Sequence, residues 1–257
     1  MSDTVSVWPR PDWQPTGSRA AMMLLAFSED PLDPGDDLSA SRFGLPSHAA
    51  IEQLDVRTHA REQDPGWFDE WRTDALRHIA EDDLADPASL DAARYCHSIR
   101  IEVDDPRDLG HVQVCWAVAS WLMTRGCRAI LDGFACRWWD RDAVSRLSPG
   151  RPFALDDEVR FICETEATPG FGHAMHTRGM LKFARPDVIC GVEPSAIGLM
   201  ERVLRRLARM QADGAVIPVG QRLRADESHT FVIEAYRPGA NGPQVHLNND
   251  ALLVTAA

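Results

Sequence analysis

The chain has 257 residues, of which 44% are hydrophobic and 26% charged, proportions that are ordinary for a soluble globular protein. It carries 39 acidic and 27 basic side chains, so its formal net charge is -12. A field of that sign repels phosphate backbones, which argues against general nucleic-acid binding. The charge suits a basic protein partner, or it serves solubility alone.

The cysteines and the apolar runs restrict the class of protein further. The six cysteines stand at 96, 115, 127, 136, 163 and 190, and no two have the C-x-x-C spacing of a zinc ribbon. The first 17 residues have no basic stretch followed by an apolar run, unlike a secretory signal. The longest apolar run, AAMMLLAF, is far shorter than the roughly 20 residues that cross a bilayer. We therefore expect a cytoplasmic protein with reduced thiols, no membrane association, no metal and no cofactor.

The first half of the chain begins with prolines at 9, 11 and 15, which predict an irregular N-terminal arm over 1–18 that packs through Trp8 and Trp13. Apolar periodicity then predicts, in order, a buried strand over 20–27, a loop over 31–37, a helix over about 66–83, a short helix over 86–95, a half-buried strand over 96–105 and a buried helix over 105–126.

The second half is richer in strands. Its pattern predicts a strand over 127–140 broken near Gly133, a short helix over 141–147, an alternating strand over 157–167, a strand over 187–194, an amphipathic helix over 195–214 and three further strands towards the end of the chain. Most neighbouring strands are joined by turns, which favours antiparallel pairing. We therefore predict an α+β fold with a mainly antiparallel sheet and helices packed on one face, forming a single domain over 19–257.

The segment GHAMHTRGMLKFARPDV, residues 172–188, contains the only lysine in the chain. If it is a strand, His176, Arg178 and Lys182 share one face; if it is a helix, Arg178, Lys182 and Arg185 do. Both geometries place Arg178 beside Lys182. We predict a strand to about His176, then a short helical turn that ends before the proline.

Neighbouring cations repel each other unless an anion lies between them, and two interpretations follow. One is a pocket for an anionic ligand, formed by His176, Arg178, Lys182, Arg185 and Glu164. The other is internal ion pairing, since a hairpin brings the preceding acidic strand alongside. Ion pairing is the simpler account of the lysine, because a catalytic amine needs a pKa lowered by burial.

Other chemistry has little support in the sequence. His173 and His176 would share a face of a helix, but they point to opposite faces of the strand that we predict there, which argues against a metal site. The nucleophile elbow, the phosphate-binding loop and the H-E-x-x-H motif are absent.

The stretch HTRGMLKFARPDV resembles a signature, h-h-T-x-G-[LM]-x-x-F-[GA]-x-P-[DE]-h, of a bacterial family of uncharacterised domains. Ala184 stands where that pattern more often has glycine. The resemblance covers roughly 96–257 and implies an intracellular bacterial α+β protein, without an activity. Small acidic α+β proteins also occur among immunity proteins that neutralise toxins, which is an analogy.

Two functional hypotheses follow from these observations. The first is a non-enzymatic binding protein, of the immunity or adaptor type, with an acidic surface for a basic protein partner. The alternative is an enzyme that acts on an anionic small molecule in a pocket around His176, Arg178, Lys182 and Glu164.

Overall fold

The computed structural model describes residues 5–32, 38–46, 51–147 and 149–257. Most of the predicted loop over 31–37, and the first four positions of the predicted arm, lie outside these residues. The chain forms two compact units, where the sequence predicted one domain over 19–257. Unit 1 comprises Ala21–Phe153 with the described part of Met1–Pro9, and unit 2 comprises Arg10–Ala20 and Ala154–Ala257.

The described helices and strands of the first half are β1 (Arg19–Ser28), α1 (Ala40–Phe43), β2 (Leu54–Ala60), α2 (Pro65–Glu70), α3 (Asp74–Asp83), β3 (Tyr95–Asp104), α4 (Gly110–Thr124), β4 (Ala129–Asp132), β5 (Arg137–Asp140) and α5 (Arg141–Arg146). Short 3₁₀ helices span Ile51–Gln53 and Pro87–Leu90. The predicted strand over 127–140 is therefore a hairpin, interrupted at Gly133 as expected.

The described strands of unit 1 form a sheet in the order β2-β3-β1-β4-β5. The pairs β2–β3, β1–β4 and β4–β5 are antiparallel. Residues 24–28 of β1 are all buried, and since successive residues point to opposite faces, both faces of the sheet are covered. On one face Phe27 packs against Phe68 of α2 and Ala80 of α3. This unit thus departs from the prediction of helices on one face.

The predicted helix over 66–83 is two helices, α2 and α3. The chain turns between them, and Asp74 takes a left-handed conformation with φ of 50°. The Asp64 side chain caps α2 by accepting a hydrogen bond from the Trp67 amide, 3.1 Å away. Apolar spacing alone did not reveal the break, because both helices turn apolar side chains towards the same core cluster.

The second half of the chain contains α6 (Leu155–Glu158), β6 (Arg160–Thr168), β7 (Gly172–Arg178), β8 (Asp187–Val192), α7 (Ile197–Ala212), β9 (Arg222–Arg224), β10 (Thr230–Ala235) and β11 (Ala251–Ala256). The structure describes every residue of unit 2, and there six strands form a sheet in the order β6-β7-β8-β11-β10-β9. Every pair is antiparallel except β8–β11, which is parallel. The α+β class and the mainly antiparallel sheet are confirmed.

Helix α7 packs on the sheet of unit 2 through the apolar face that its sequence predicted. Met200, Leu204 and Leu207 are buried against β7, β8 and the neighbouring strands. Gly214 follows the helix with φ of 107°, a left-handed conformation that suits glycine. On the other face of the sheet, a smaller cluster around Ile189 lies beneath the residues that connect β10 to β11. Within the described ranges, no helix is both long and apolar enough to cross a membrane.

Gly191 provides a test of the β7–β8 packing. A Cβ atom at this position would lie 2.0 Å from the carbonyl oxygen of Phe171, a backbone atom that cannot rotate away. We expect Gly191→Ala to lower the free energy of unfolding by roughly 1–3 kcal/mol, measured by urea denaturation.

Gly198 offers the matched control, since it is a helical glycine with open space around it. A Cβ atom added there would lie 3.8 Å from its nearest neighbour, which is the end of the flexible Arg202 side chain. Gly198→Ala should therefore raise stability, by about 0.5 kcal/mol. Equal destabilisation by the two substitutions would contradict the packing described for β8.

Candidate functional site

The segment 172–188 folds as a strand followed by a short helical turn, as the sequence predicted. Strand β7 ends at Arg178, and a 3₁₀ helix spans Met180–Phe183. The turn starts after Gly179, which has φ of 109°. Arg178 and Lys182 therefore lie on different elements, and neither of the two predicted geometries, a shared strand face or a shared helix face, applies to them.

Hydrogen bonds of the Thr177 side chain join the two ends of the loop that follows β7. The Thr177 hydroxyl donates to Oδ1 of Asp187 at 2.8 Å and accepts from the Val188 amide at 2.9 Å. Met180 and Phe183, between the two ends, are fully buried. Ala184 adopts φ of 52°, a left-handed conformation that explains why glycine suits this position of the resembling pattern. In this chain, the residues of that pattern build a fold element.

Lys182 is buried in an ion pair. Its Nζ donates to Oε2 of Glu158 at 2.7 Å, and the two side chains are 0% and 1% exposed. Glu158 is the last residue of α6. The alternating pattern over 157–167 had instead predicted that it lies on the solvent-exposed face of a strand. Ion pairing is thus the better interpretation of the single lysine, with a partner, Glu158, that the sequence analysis did not single out.

Arg185 and Arg10 both donate to the carbonyl groups at the end of α7. Arg185 bonds the carbonyls of Gly214 and Ala215, at 2.6 and 3.1 Å. Arg10 bonds those of Gln211 and Ala212, at 3.1 and 3.0 Å. Only 3% of Arg185 and 4% of Arg10 is exposed. Arg10 thus bonds two carbonyls of the last helical turn and Arg185 bonds two carbonyls just after it, so both guanidinium groups hold the C-terminal end of α7.

His176 and Glu164 are the two predicted site residues that the structure brings together. Nε2 of His176 lies 2.9 Å from Oε1 of Glu164, and the histidine is buried while 44% of the glutamate side chain is exposed. Burial lowers the pKa of His176, and the hydrogen bond with Glu164 opposes that shift. The Glu164 carboxylate can orient the imidazole, while burial disfavours its charged form.

Arg178 has different neighbours from Lys182. Its guanidinium donates to the carbonyl oxygen of His246, in the connection between β10 and β11. In the β6–β7 ladder it lies opposite Arg160. The five predicted residues therefore take part in contacts of four kinds: an ion pair, hydrogen bonds at the end of α7, a histidine–glutamate pair and a bond to a backbone carbonyl.

A serine–histidine contact in unit 1 has the residue types of a nucleophilic site. Nε2 of His97 lies 3.0 Å from the Ser28 hydroxyl, and Nδ1 lies 3.0 Å from the Thr58 hydroxyl. Ser28 donates its proton to the carbonyl of Asp30 at 2.8 Å and is buried, as is His97. Burial lowers the pKa of His97 to about 4. A buried hydroxyl that already donates to a carbonyl does not serve as a nucleophile, so this network is structural.

Sequence reasoning missed three buried polar residues of unit 2: Arg10, Glu158 and Asp187. Arg10 lies in the proline-rich arm, where no local pattern marks it for burial. Glu158 is one of three consecutive acids, of which it alone is buried. The contact of Asp187 with Thr177 could have been predicted, since both residues are positions of the motif and lie at the two ends of the loop.

Comparison with protein-family models, with curated protein sequences and with solved structures finds no match to this chain. Among the described residues, no group of three or more His, Cys, Asp or Glu side chains is placed to hold a metal ion. The function must therefore be argued from the chemistry of this chain alone.

The buried ion pair makes a quantitative prediction for Lys182→Met. Removing the ammonium takes an opposite charge and a 2.7 Å hydrogen bond away from the buried Glu158 carboxylate, so we expect a loss of roughly 3–5 kcal/mol in the free energy of unfolding. Adding Glu158→Leu to Lys182→Met should recover part of that loss, because the buried carboxylate is then removed as well. Chemical denaturation of both variants provides the measurement.

Arg209→Met is the control for this experiment. Arg209 pairs with Asp213 at 2.8 Å, with 52% of its side chain exposed. We expect a cost of about 0–1 kcal/mol. A similar small cost for Lys182→Met would contradict the assignment of a buried pair.

Asp187 makes a prediction for pH dependence. Burial raises the pKa of this carboxyl group from 3.8 to about 7, against the hydrogen bond from Thr177. Between pH 4 and 7 the folded state holds a proton that the unfolded state has lost, so stability falls as pH rises through that window. Each pKa unit of difference corresponds to about 1.4 kcal/mol. Asp187→Asn should therefore be more stable than the wild type at pH 8, and close to it at pH 4.

The difference between Asp187→Asn and the wild type at each pH isolates this group, because every other titratable group is common to both proteins. Thermal unfolding at a series of pH values measures it. A constant difference from pH 4 to pH 8 would show that Asp187 does not titrate in this range.

Proposed function

We propose that this chain is a binding protein that takes a basic protein partner on unit 1. The observation that carries the proposal is the distribution of charge between the two units. Over its described residues, unit 1 carries 21 acidic and 14 basic side chains, so the net charge of these residues is -7. Unit 2, with 14 acidic and 13 basic residues, has a net charge of -1. Almost the whole negative excess of the described residues therefore lies on one unit.

The exposed carboxylates at the end of α3 suit the first contact with a cation. Glu81, Asp82 and Asp86 are all exposed, and Asp91 follows in the next turn. Arg77 lies among them, with its guanidinium 3.0 Å from Asp91 and 3.8 Å from Glu81. A concentrated charge of one sign speeds association with a partner of the opposite sign and selects against like-charged ones.

The enzyme alternative has less support than the binding proposal. Its proposed pocket needed Lys182 and Arg178 side by side, yet Lys182 is buried with Glu158, and Arg178 donates to His246. A more specific version of the binding proposal is an immunity or adaptor role in the cytoplasm, which the acidic composition supports.

The experiment compares two triple variants that each remove three negative charges. In unit 1 the variant is Glu81→Gln/Asp82→Asn/Asp86→Asn; in unit 2, where the side chains at 166, 193 and 227 are also exposed, it is Glu166→Gln/Glu193→Gln/Glu227→Gln. Each tagged protein is used to capture partners from a lysate of the native cells at low salt. We expect a basic protein to be captured in stoichiometric amount by the wild type and by the unit 2 variant.

The unit 1 variant should bind that partner about tenfold more weakly, because it removes the charges that the partner meets. Recovery of the wild type as a free monomer would contradict the proposal. So would equal loss from both variants, because the effect would then follow total charge and not the surface of unit 1.

A further inference from the structure

Unit 2 has a pocket of about 260 Å³ beside the exposed face of α7. One wall consists of residues at 199, 202, 203, 206 and 207, which recur at three- and four-residue intervals and so share one side of the helix. The facing wall is formed by residues 223–226, at and after β9, and by Phe231 of β10. The whole pocket lies within unit 2.

The floor of this pocket is apolar. Val203 and Phe231 are each 7% exposed and Leu207 is 1% exposed, so the atoms that face the pocket belong to the core. Leu223, opposite Phe231 in the β9–β10 ladder, is half-buried and extends the same surface. An apolar group that enters the pocket would therefore lose contact with water and gain contact with close-packed side chains.

The rim is cationic, with Arg202 and Arg206 on the helix and Arg224 on the strand. Other arginines of α7 are paired: Arg205 lies 2.9 Å from Glu201, and Arg209 pairs with Asp213. Arg202 and Arg206 have no carboxylate partner among the described residues. Because they are four residues apart on one helix face, they repel each other, and an anion between them would relieve that repulsion.

The Asp226 carboxylate lines this pocket, but its hydrogen bonds are made to residues of its own turn. Its Oδ1 accepts hydrogen bonds from the Ser228 and His229 amides, at 2.8 and 2.9 Å. The His229 ring nitrogen Nδ1 also lies 2.8 Å from it. The hydrogen bond with the His229 side chain, followed by that with the Ser228 amide, lowers the pKa of Asp226. These contacts hold the carboxylate within its own turn.

We propose that this pocket binds a small amphiphilic anion, namely a carboxylate carried on a short hydrocarbon chain. The guanidinium fork matches a carboxylate through two parallel hydrogen bonds, and the apolar floor takes the chain. The volume is below the roughly 300–1,000 Å³ of pockets for drug-sized ligands, which limits the chain to a short one. The proposal does not depend on the basic partner, because it uses the other unit and charges of the opposite sign.

Isothermal titration of the full chain with octanoate tests the assignment. Acetate supplies the charge without the chain, and octanol supplies the chain without the charge. We expect saturable binding of octanoate, with each of the other two at least about tenfold weaker, since each lacks one half of the interaction. Tighter binding of octyl phosphate than of octanoate would reassign the pocket to phosphate esters and overturn the carboxylate assignment.

Two double variants distinguish binding by the pocket arginines from a general effect of the positive charge on α7. Arg202→Gln/Arg206→Gln removes the pocket arginines, and Arg205→Gln/Arg209→Gln removes the same charge from the paired positions. We expect the first to weaken octanoate binding about tenfold or more and the second to leave it within about twofold. A thermal unfolding curve of each variant confirms that it is folded.

Leu223→Trp provides a test that leaves every charge in place. The larger side chain fills the pocket from the strand side, so octanoate binding should be lost. The proposal is overturned if octanoate fails to bind the wild type at millimolar concentration. It is also overturned if octanol binds as tightly as octanoate, or if both double variants weaken binding equally.

Discussion

The end of α7 imposes the constraint on which unit 2 is built. An α-helix leaves its last carbonyl groups without partners inside the helix, and a buried carbonyl without a hydrogen bond is costly. Here Arg10 donates to the carbonyls of Gln211 and Ala212, and Arg185 donates to those of Gly214 and Ala215 just after the helix, from two distant parts of the sequence. The positive charges also complement the negative end of the helix dipole. The N-terminal arm, the 172–188 segment and α7 are thereby joined at one position.

The same unit uses cations in three ways, and burial distinguishes them. Lys182 forms a fully buried pair with one carboxylate, which suits a compact ammonium group. Arg10 and Arg185 spread their donors over several carbonyls, which suits a planar fork. The arginines on the wet face of α7 remain accessible, and the two beside the pocket lack a carboxylate partner among the described residues. The abundance of arginine in the sequence therefore does not indicate the role of an individual arginine, which depends on its burial and its neighbours.

The sequence predicted the local elements well where periodicity was strong. The strand at 20–27, the helix around α4 and the amphipathic face of α7 follow directly from the spacing of apolar residues. The parallel β8–β11 pair was not predictable, because it joins segments some 60 residues apart, which no local pattern encodes. The division into two units was not predictable either, because it joins residues 10–20 to a body that starts at 154. The contacts of the predicted site residues were not predictable for a similar reason. Arg178 and Lys182 are close in sequence, but Gly179 separates their elements, and their partners at 246 and 158 come from elsewhere.

Unit 2 is discontinuous in sequence, since Arg10–Ala20 belongs to it together with Ala154–Ala257. Its boundary therefore does not coincide with any single peptide bond. A fragment that starts at 154 would contain all six strands and the helix, yet it would lack the guanidinium that bonds Gln211 and Ala212. Excision of unit 2 as an autonomous piece consequently calls for residues 10–20 to be re-attached through a linker, and not for simple truncation.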